Sequence, residues 1–495
     1  MKVSFLVLLS ALAQFGLVSS GNIEHVIVLM LENRSLDHML GFLKQQNPDI
    51  DGCLPNQTGC SNAIDPTDPS SQTFTVDDTA VYEQISPSHS ISGTTTQVMG
   101  TSDGTVENMS GFISSYTHVT GSTEGGEGIM KCFSAEHVPV IANLSMEYGF
   151  FDGWFASVPG PTMVNRAYAA SATSHGMGTN DEVTIAKGLP QETMFKQLID
   201  MGHDIRVYFQ TVPSVLMFKD MRHQAVRGNY YLFDKVYEDL ANGNMPAFSW
   251  LEPNYFEAPN YPASDQHPDH DVSIGDQLIK DVYDAVRASP LWNKTALIIT
   301  YDEHGGFFDH VPPPMNVPNP DGINSTDDPF DFTRLGVRVP TVVVSPWVPK
   351  GSVFHAVPAT PDANGTTPGQ YEHSSIVSTV VHKMFQATEG NAAPSYLTKR
   401  DEWAATFEWI FDELPEPRAD CPTTTPTPAV HRELFPDTLP PLNGESPLSD
   451  LQIELMAIAA GTTGDEEFWK FNLTEWTEAR GTAYVQERMN IFLAK

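Results

Sequence analysis

The stretch EHVIVLMLENR, Glu24 to Arg34, runs an apolar, β-branched segment straight into a carboxylate, an amide and a guanidinium. An apolar run that does not alternate with polar residues is the pattern of a strand covered on both faces, as in a parallel sheet. Ligands of such sheets gather just beyond the carboxyl ends of the strands, which is where Glu32, Asn33 and Arg34 stand. The same Asn33 opens an N-x-[ST] sequon, NRS, so a glycosylated surface turn is the competing account of these residues.

Three more runs share the pattern: DIRVYF (204–209), ALIITY (296–301) and PTVVVS (340–345), each expected as a buried parallel strand. Between them PQETMFKQLIDMG (190–202) and SIGDQLIKDVYDAVRAS (273–289) read as helices, the second with Ile274, Leu278, Val282 and Val286 at helical spacing. Strand and helix in alternation predict an α/β layered fold. Residues 51–128, rich in Ser, Thr, Gly and Asp, are expected as a long excursion over the site and a lid. PEPRADCPTTTPTP (415–428) reads as a linker. LSDLQIELMAIAAG (448–461) and AYVQERMNIFLAK (483–495) then form a helical appendage. The expected organisation is a leader over 1–20, a catalytic domain over 21–413, and a linker with appendage over 414–495.

The leader, MKVSFLVLLSALAQFGLVSS, has one lysine, an apolar run and small residues before Gly21, the pattern of a secretory signal peptide. No other stretch approaches the roughly 18 apolar residues of a membrane span. Sequons at Asn56, Asn108, Asn143, Asn293, Asn324, Asn364 and Asn472 agree with export to the extracellular space or cell wall. In an oxidising compartment the four cysteines suggest two disulfides. Cys53 with Cys60 is the first choice among the pairings, which leaves Cys132 with Cys421. A formal charge of −35 and a pI near 4.6 argue against nucleic-acid binding and against a polybasic dock on anionic lipid; transient contact with lipid surfaces is the expected mode of association.

The block ITYDEHGGFFDHVPPP, Ile299 to Pro314, carries the densest chemistry. A strand ends in Asp302 and Glu303, followed by His304, two glycines, Asp309 and His310. Adjacent carboxylates at a buried strand end repel and are costly to desolvate unless a cation or proton resolves the clash. Glu32 and Asn33 offer oxygens at another strand end, and an all-oxygen cage selects a hard divalent cation such as Ca²⁺, Mg²⁺ or Mn²⁺. Arg34 either braces these carboxylates from behind or is an ordinary surface arginine. A solvated acidic turn is the plainer alternative.

In SVPGPTMVNRAYAASATSHG (157–176), Pro159, Gly160 and Pro161 break the chain before Thr162 opens a small-residue helical run. A hydroxyl at a helix N-terminus faces free N–H groups and the positive dipole end, a natural seat for phosphate. From this motif alone an N-cap role for Thr162 is the simpler reading. His89 in SPSHSISG and His267 in ASDQHPDHD lie in polar loops, where a histidine can contact phosphate or protonate a leaving alkoxide. His270, His304, His310 and His373 are further candidates, and Asp265 could orient or ligate. The chain has no P-loop, H-E-x-x-H or C-x-x-C.

ENRSLDHMLG, SVPGPTMVNR, DQHPDHD and ITYDEHGGFFDHVPPP, in this order, resemble the phosphoesterase family that includes bacterial and plant non-specific phospholipases C and a related bacterial acid phosphatase. The resemblance implies an alkaline-phosphatase-like α/β/α sandwich, with Glu32, Asn33, Asp302 and Glu303 as metal ligands. It makes Thr162 the nucleophile and sets His89 and His267 against phosphate or leaving group. The implied substrate is a phospholipid, cleaved to diacylglycerol and a phosphorylated head group. Leu36 stands where the family usually has phenylalanine and Val164 where proline is usual. Threonine as nucleophile resembles the phospholipase branch, and the C-terminal segment resembles fungal members. An acid phosphatase acting on soluble monoesters is the alternative function, and an inactive binding or cell-wall protein the third.

Overall fold

Val26 to Leu31 are fully buried, which explains why an unbroken apolar run forms the middle of a sheet rather than an edge. The computed structural model describes residues 21–494 apart from 83–85, 105, 124, 260, 269, 359–366, 436–437 and 440, so the leader and the sequon at Asn364 lie outside the described residues. The central sheet has eight strands: β1 (His25–Leu31), β2 (Gly149–Phe151), β3 (Ile205–Phe209), β4 (Tyr230–Leu232), β5 (Phe248–Glu252), β6 (Thr295–Tyr301), β7 (Thr341–Val344) and β8 (Ser352–Phe354). Their order is β8-β2-β7-β6-β1-β5-β3-β4, and the five strands from β6 to β4 are all parallel to their neighbours.

Helices flank this sheet as two groups. Helix α2 (Val272–Ala288) packs on β6 and beside the helices Pro139–Glu147 and Lys235–Asn242. Its Asp271 caps the first turn, and Leu278, Val282 and Val286 are buried, each contributing about 1.5–3 kcal/mol by leaving water. Helix α1 (Thr162–Ser171) packs with Ser374–Thr379 and Met194–Asp200 in the other group. The expected sandwich of helices around a largely parallel sheet is thus borne out.

Two local expectations are corrected. The run 340–345 is a strand, but it is antiparallel to both β6 and β2. A parallel neighbour needs a crossover that carries the chain back across the sheet; among the described residues 302–340 contain no helix, so the chain re-enters at the edge where β6 left it. Cys53 and Cys60 are bonded, with Cα atoms 5.7 Å apart, whereas Cys132 and Cys421 are free thiols. Cys132 belongs to the small core under the 51–128 excursion and Cys421 to the main core, so the fold never brings them together. That excursion has a hydrophobic core of its own, including Phe112, Ile113 and Ile129. The C-terminal helices α3 (Asp450–Thr463) and α4 (Glu478–Ala494) pack on the main core through Leu455, Ile458, Val485 and Phe492.

Candidate active site

The ends of β1, β5 and β6 deliver the site. Asp302 follows β6, and its Oδ1 accepts the backbone N–H groups of Asn33 (3.0 Å) and Glu303 (2.7 Å), stitching the two central strand ends together. The Arg34 N–H donates to the Glu303 carbonyl (3.0 Å). Glycine is required at 305 and 306. Gly305 has φ +65°, and a Cβ there would meet the Asn33 carbonyl oxygen at 2.2 Å; Gly306 has φ +74°, and its Cβ would press on Pro87 and Ser88 at 2.7 Å. The two glycines therefore let the DEHGG turn close on both Asn33 and the loop that carries His89.

Thr162 is the first residue of α1, with Pro161 rather than Thr162 in the capping position. Its Oγ1 lies 3.4 Å from both Glu32 Oε2 and Asn33 Oδ1. The Asn180 side chain takes up the Met163 N–H (2.9 Å) and in turn donates to Glu454 of α3 (2.8 Å). Asn33, fully buried with φ 55°, faces this hydroxyl and has no room for a glycan. By contrast Asn56, Asn108, Asn293, Asn324 and Asn472 are exposed and Asn143 is half-buried.

Between the carboxylates stands a residue that sequence reasoning missed. Arg166, one turn after Thr162 on α1, donates to Glu32 Oε1 through Nη2 (2.6 Å) and Nε (3.0 Å), reaches Glu252 at the end of β5 (3.4 Å), and has Asp302 Oδ2 3.5 Å from its Nε. It was within the quoted motif TMVNR; the available signal was its i,i+4 spacing from Thr162, which puts both on one helix face. Arg34, one candidate for this role, points elsewhere. It donates to the Gln266 carbonyl (2.9 Å), lies 2.9 Å from His38 Nε2 and stacks over Phe307, so it holds the 265–270 loop rather than the carboxylates.

That loop brings Asp265, His267 and His270 to the site. The Asp265 carbonyl accepts the Glu32 N–H (2.9 Å), and Asp265 Oδ1 accepts the His267 N–H (3.2 Å) and sits 2.6 Å from His270 Nδ1. Burial raises the Glu303 carboxyl to about 8, while His89 and His267 both favour its charged form. Burial also lifts Glu32 well above the carboxylate range, with Arg166 opposing and Asp302 and Asp265 reinforcing. These are carboxyls short of positive charge.

His304 is buried against Gln97 of the excursion (2.7 Å), and burial depresses it to about 3. His373 sits 2.6 Å from the Asp302 carbonyl and is depressed to about 4 by burial. His310 goes elsewhere: it pairs with Asp37 (2.6 Å) beside Arg338 and Asp309. Among the described residues Asp37, Cys53 and His310 are the one trio of metal-type side chains whose ligand atoms all lie within 4.8 Å of one another. Cys53 is in a disulfide and offers no thiolate, so this is an ion-pair cluster. Glu32, Asp302 and Glu303 are spaced more widely, with Arg166 among them.

The donor set at the site nevertheless fits a hard cation. Its atoms are all oxygens, and Asp265 Oδ2, Asp302 Oδ2 and Glu303 Oε1 are buried without a hydrogen-bond partner, a costly state for carboxylates that a bound cation would offset.

A model of the phosphoesterase family matches residues 23–386. Non-specific phospholipase C6 of Arabidopsis thaliana is 42% identical over 449 residues, covering 90% of this chain and 81% of that protein. Non-specific phospholipase C1 of the same plant is 40% identical over 484 residues, covering 96% and 86%. Among solved structures, a protein in the alkaline phosphatase superfamily from Vibrio parahaemolyticus aligns with a TM-score of 0.30 at 12% identity, covering 53% of this chain and 63% of that one.

Proposed function

This chain belongs to the phosphoesterase family, and we propose that within it the protein is a phospholipase C that cleaves glycerophospholipids to diacylglycerol and a phosphorylated head group. The observation that carries this reading is the Thr162 hydroxyl, set at the start of α1 and 3.4 Å from both Glu32 and Asn33. Relatives about as similar as non-specific phospholipases C6 and C1 support the choice of substrate.

Thr162 Oγ1 gives up its proton to solvent and attacks phosphorus, so that the Oγ1–P bond forms as the bond to the diacylglycerol oxygen breaks, and that oxygen takes a proton from His89 or His267. Water then attacks the phospho-threonine and returns a proton to the histidine; the Oγ1–P bond breaks, the phosphorylated head group leaves, and Thr162 Oγ1 regains a proton from solvent. The pocket's preset geometry at the start of α1 orients the phosphoryl group, the main source of catalysis for this reaction class. Glu32, Asn33, Asp302 and Glu303 would hold a divalent hard cation, with Asp265 beside them. When bound, such a cation neutralises charge developing on the phosphoryl oxygens and eases ionisation of the threonine. Arg166 keeps Glu32 and Asp302 paired and in place. Export is part of the proposal, supported by the Cys53–Cys60 disulfide and the exposed sequons.

Phosphorus NMR of the products is the test, with phosphatidylcholine and, separately, a phosphate monoester given to the metal-supplemented protein. Phosphocholine from the lipid, lost in Thr162→Ala, is the expected result. Inorganic phosphate from the monoester alone would make the protein an acid phosphatase, and no product from either would overturn the reading.

A further inference from the structure

The family match ends at residue 386, yet a side chain nearly a hundred residues later stands behind the histidine loop. Glu478 opens α4, and its Oε2 lies 3.4 Å from His270 Nε2. His270 Nδ1 is 2.6 Å from Asp265 Oδ1, and the other oxygen of Asp265 is buried without a hydrogen-bond partner. The three side chains are at most 3% exposed, so water does not screen the line Glu478–His270–Asp265. The same Glu478 oxygen accepts the Glu257 N–H (2.7 Å) and the Gln452 amide (2.7 Å), and Gln452 also donates to the Tyr255 carbonyl (2.8 Å). One carboxylate therefore holds this loop near its start, directly at Glu257 and through Gln452 at Tyr255, and lies within ion-pair range of His270 near its end.

The loop needs such a grip. Gln266, between Asp265 and His267, has φ 70°, a conformation that persists only where the surroundings over-determine it. The Asp265 carbonyl is also the partner of the Glu32 N–H (2.9 Å), so any drift of the loop moves a proposed ligand.

We propose that Glu478 is a positioning residue: through His270 it sets the direction of Asp265, and through Glu257 and Tyr255 it sets the path of the loop that carries His267. Helix α4 is then part of the active-site architecture, although the family match does not extend to it. Outer-shell carboxylates of this kind typically matter by about 10–100-fold in metal affinity or turnover.

Glu478→Gln separates charge from packing, because glutamine keeps the length and one acceptor oxygen for Glu257 and Gln452 but removes the charge that faces His270. Tyr484→Phe, which deletes the bond to Asp465 (2.9 Å) on the same helix, is the control. Hydrogen exchange of the 253–271 segment, read by mass spectrometry on the metal-free protein, does not depend on any assumed substrate. Glu478→Gln is expected to speed that exchange about tenfold and to lower kcat on a chromogenic phosphodiester about 10–100-fold with KM little changed. The kinetic effect should vanish in a His270→Ala background, and Tyr484→Phe should move neither readout. Unchanged exchange, or an equal kinetic effect with and without His270, overturns the proposal. The kinetic arm rests on the hydrolytic reading of the site; a wild-type protein without turnover would sink that reading, and the exchange result alone would then decide for or against Glu478.

Discussion

Arg166→Met removes the single cation that Glu32, Glu252 and Asp302 share. The guanidinium is 1% exposed and contacts the three carboxylates at 2.6, 3.4 and 3.5 Å, so methionine of similar length leaves buried negative charge without compensation. Removing one partner of a buried ion pair costs about 3–5 kcal/mol. Unfolding entropy of about 2.1 cal/mol/K per residue gives roughly 1 kcal/mol/K for a chain of 495 residues, so the melting temperature should fall about 3–5 °C. The assay is thermal unfolding at fixed scan rate in chelator at pH 7, repeated with millimolar magnesium or calcium. The cation should close part of the gap, because it supplies the positive charge the variant lacks. A shift under about 1 °C in chelator would refute the argument that Arg166 neutralises the site.

Gly305→Ala forces a Cβ to 2.2 Å from the Asn33 carbonyl at φ +65°, so melting should drop by more than the 1–2 kcal/mol or so of a left-handed alanine and cleavage should fail; a stable, active variant contradicts the turn's role. At His310 burial opposes the charged form, but Asp37 and Asp51 outweigh it and raise the ring to about 10. The group binds its proton more tightly folded than unfolded, so its stabilisation is full below about pH 6.5 and lost as pH rises through 10. His310→Gln should therefore lower the urea midpoint at pH 6 and leave it unchanged by about pH 11; equal losses at both would refute the pairing. In a glycosylating host, Asn33→Gln should leave glycan mass unchanged and Asn56→Gln should remove one glycan, as read by intact mass before and after deglycosylation.

Much of this protein was legible along the chain. Val26–Leu31 and Ala296–Tyr301 announced buried strands because a strand covered on both faces must be apolar throughout. Their ends pointed to a site because adjacent carboxylates at a buried strand end need a cation or a proton to offset their repulsion, although a solvated acidic turn fitted the same residues. Threonine after Pro-Gly-Pro marked the helix start. These are local statements, decided by residues within a few positions of one another.

What remained hidden depended on contacts between residues far apart in sequence. The direction of β7 followed from the absence of a crossover after β6, which no property of TVVV encodes. Cys132 and Cys421 could be paired on paper, but packing assigned them to separate cores. Arg166 and Arg34 are both plausible braces by composition, and the docking of α1 against the ends of β1, β5 and β6 selected the first. Glu478 looked like one acidic residue among 62 Asp and Glu until α4 placed it against His270. Sequence determined which segments had to be buried and which chemistry stood at their ends, because hydrophobic pattern and turn stereochemistry act locally; tertiary structure decided which charges meet, because ion pairing depends on distances that only the packed chain defines.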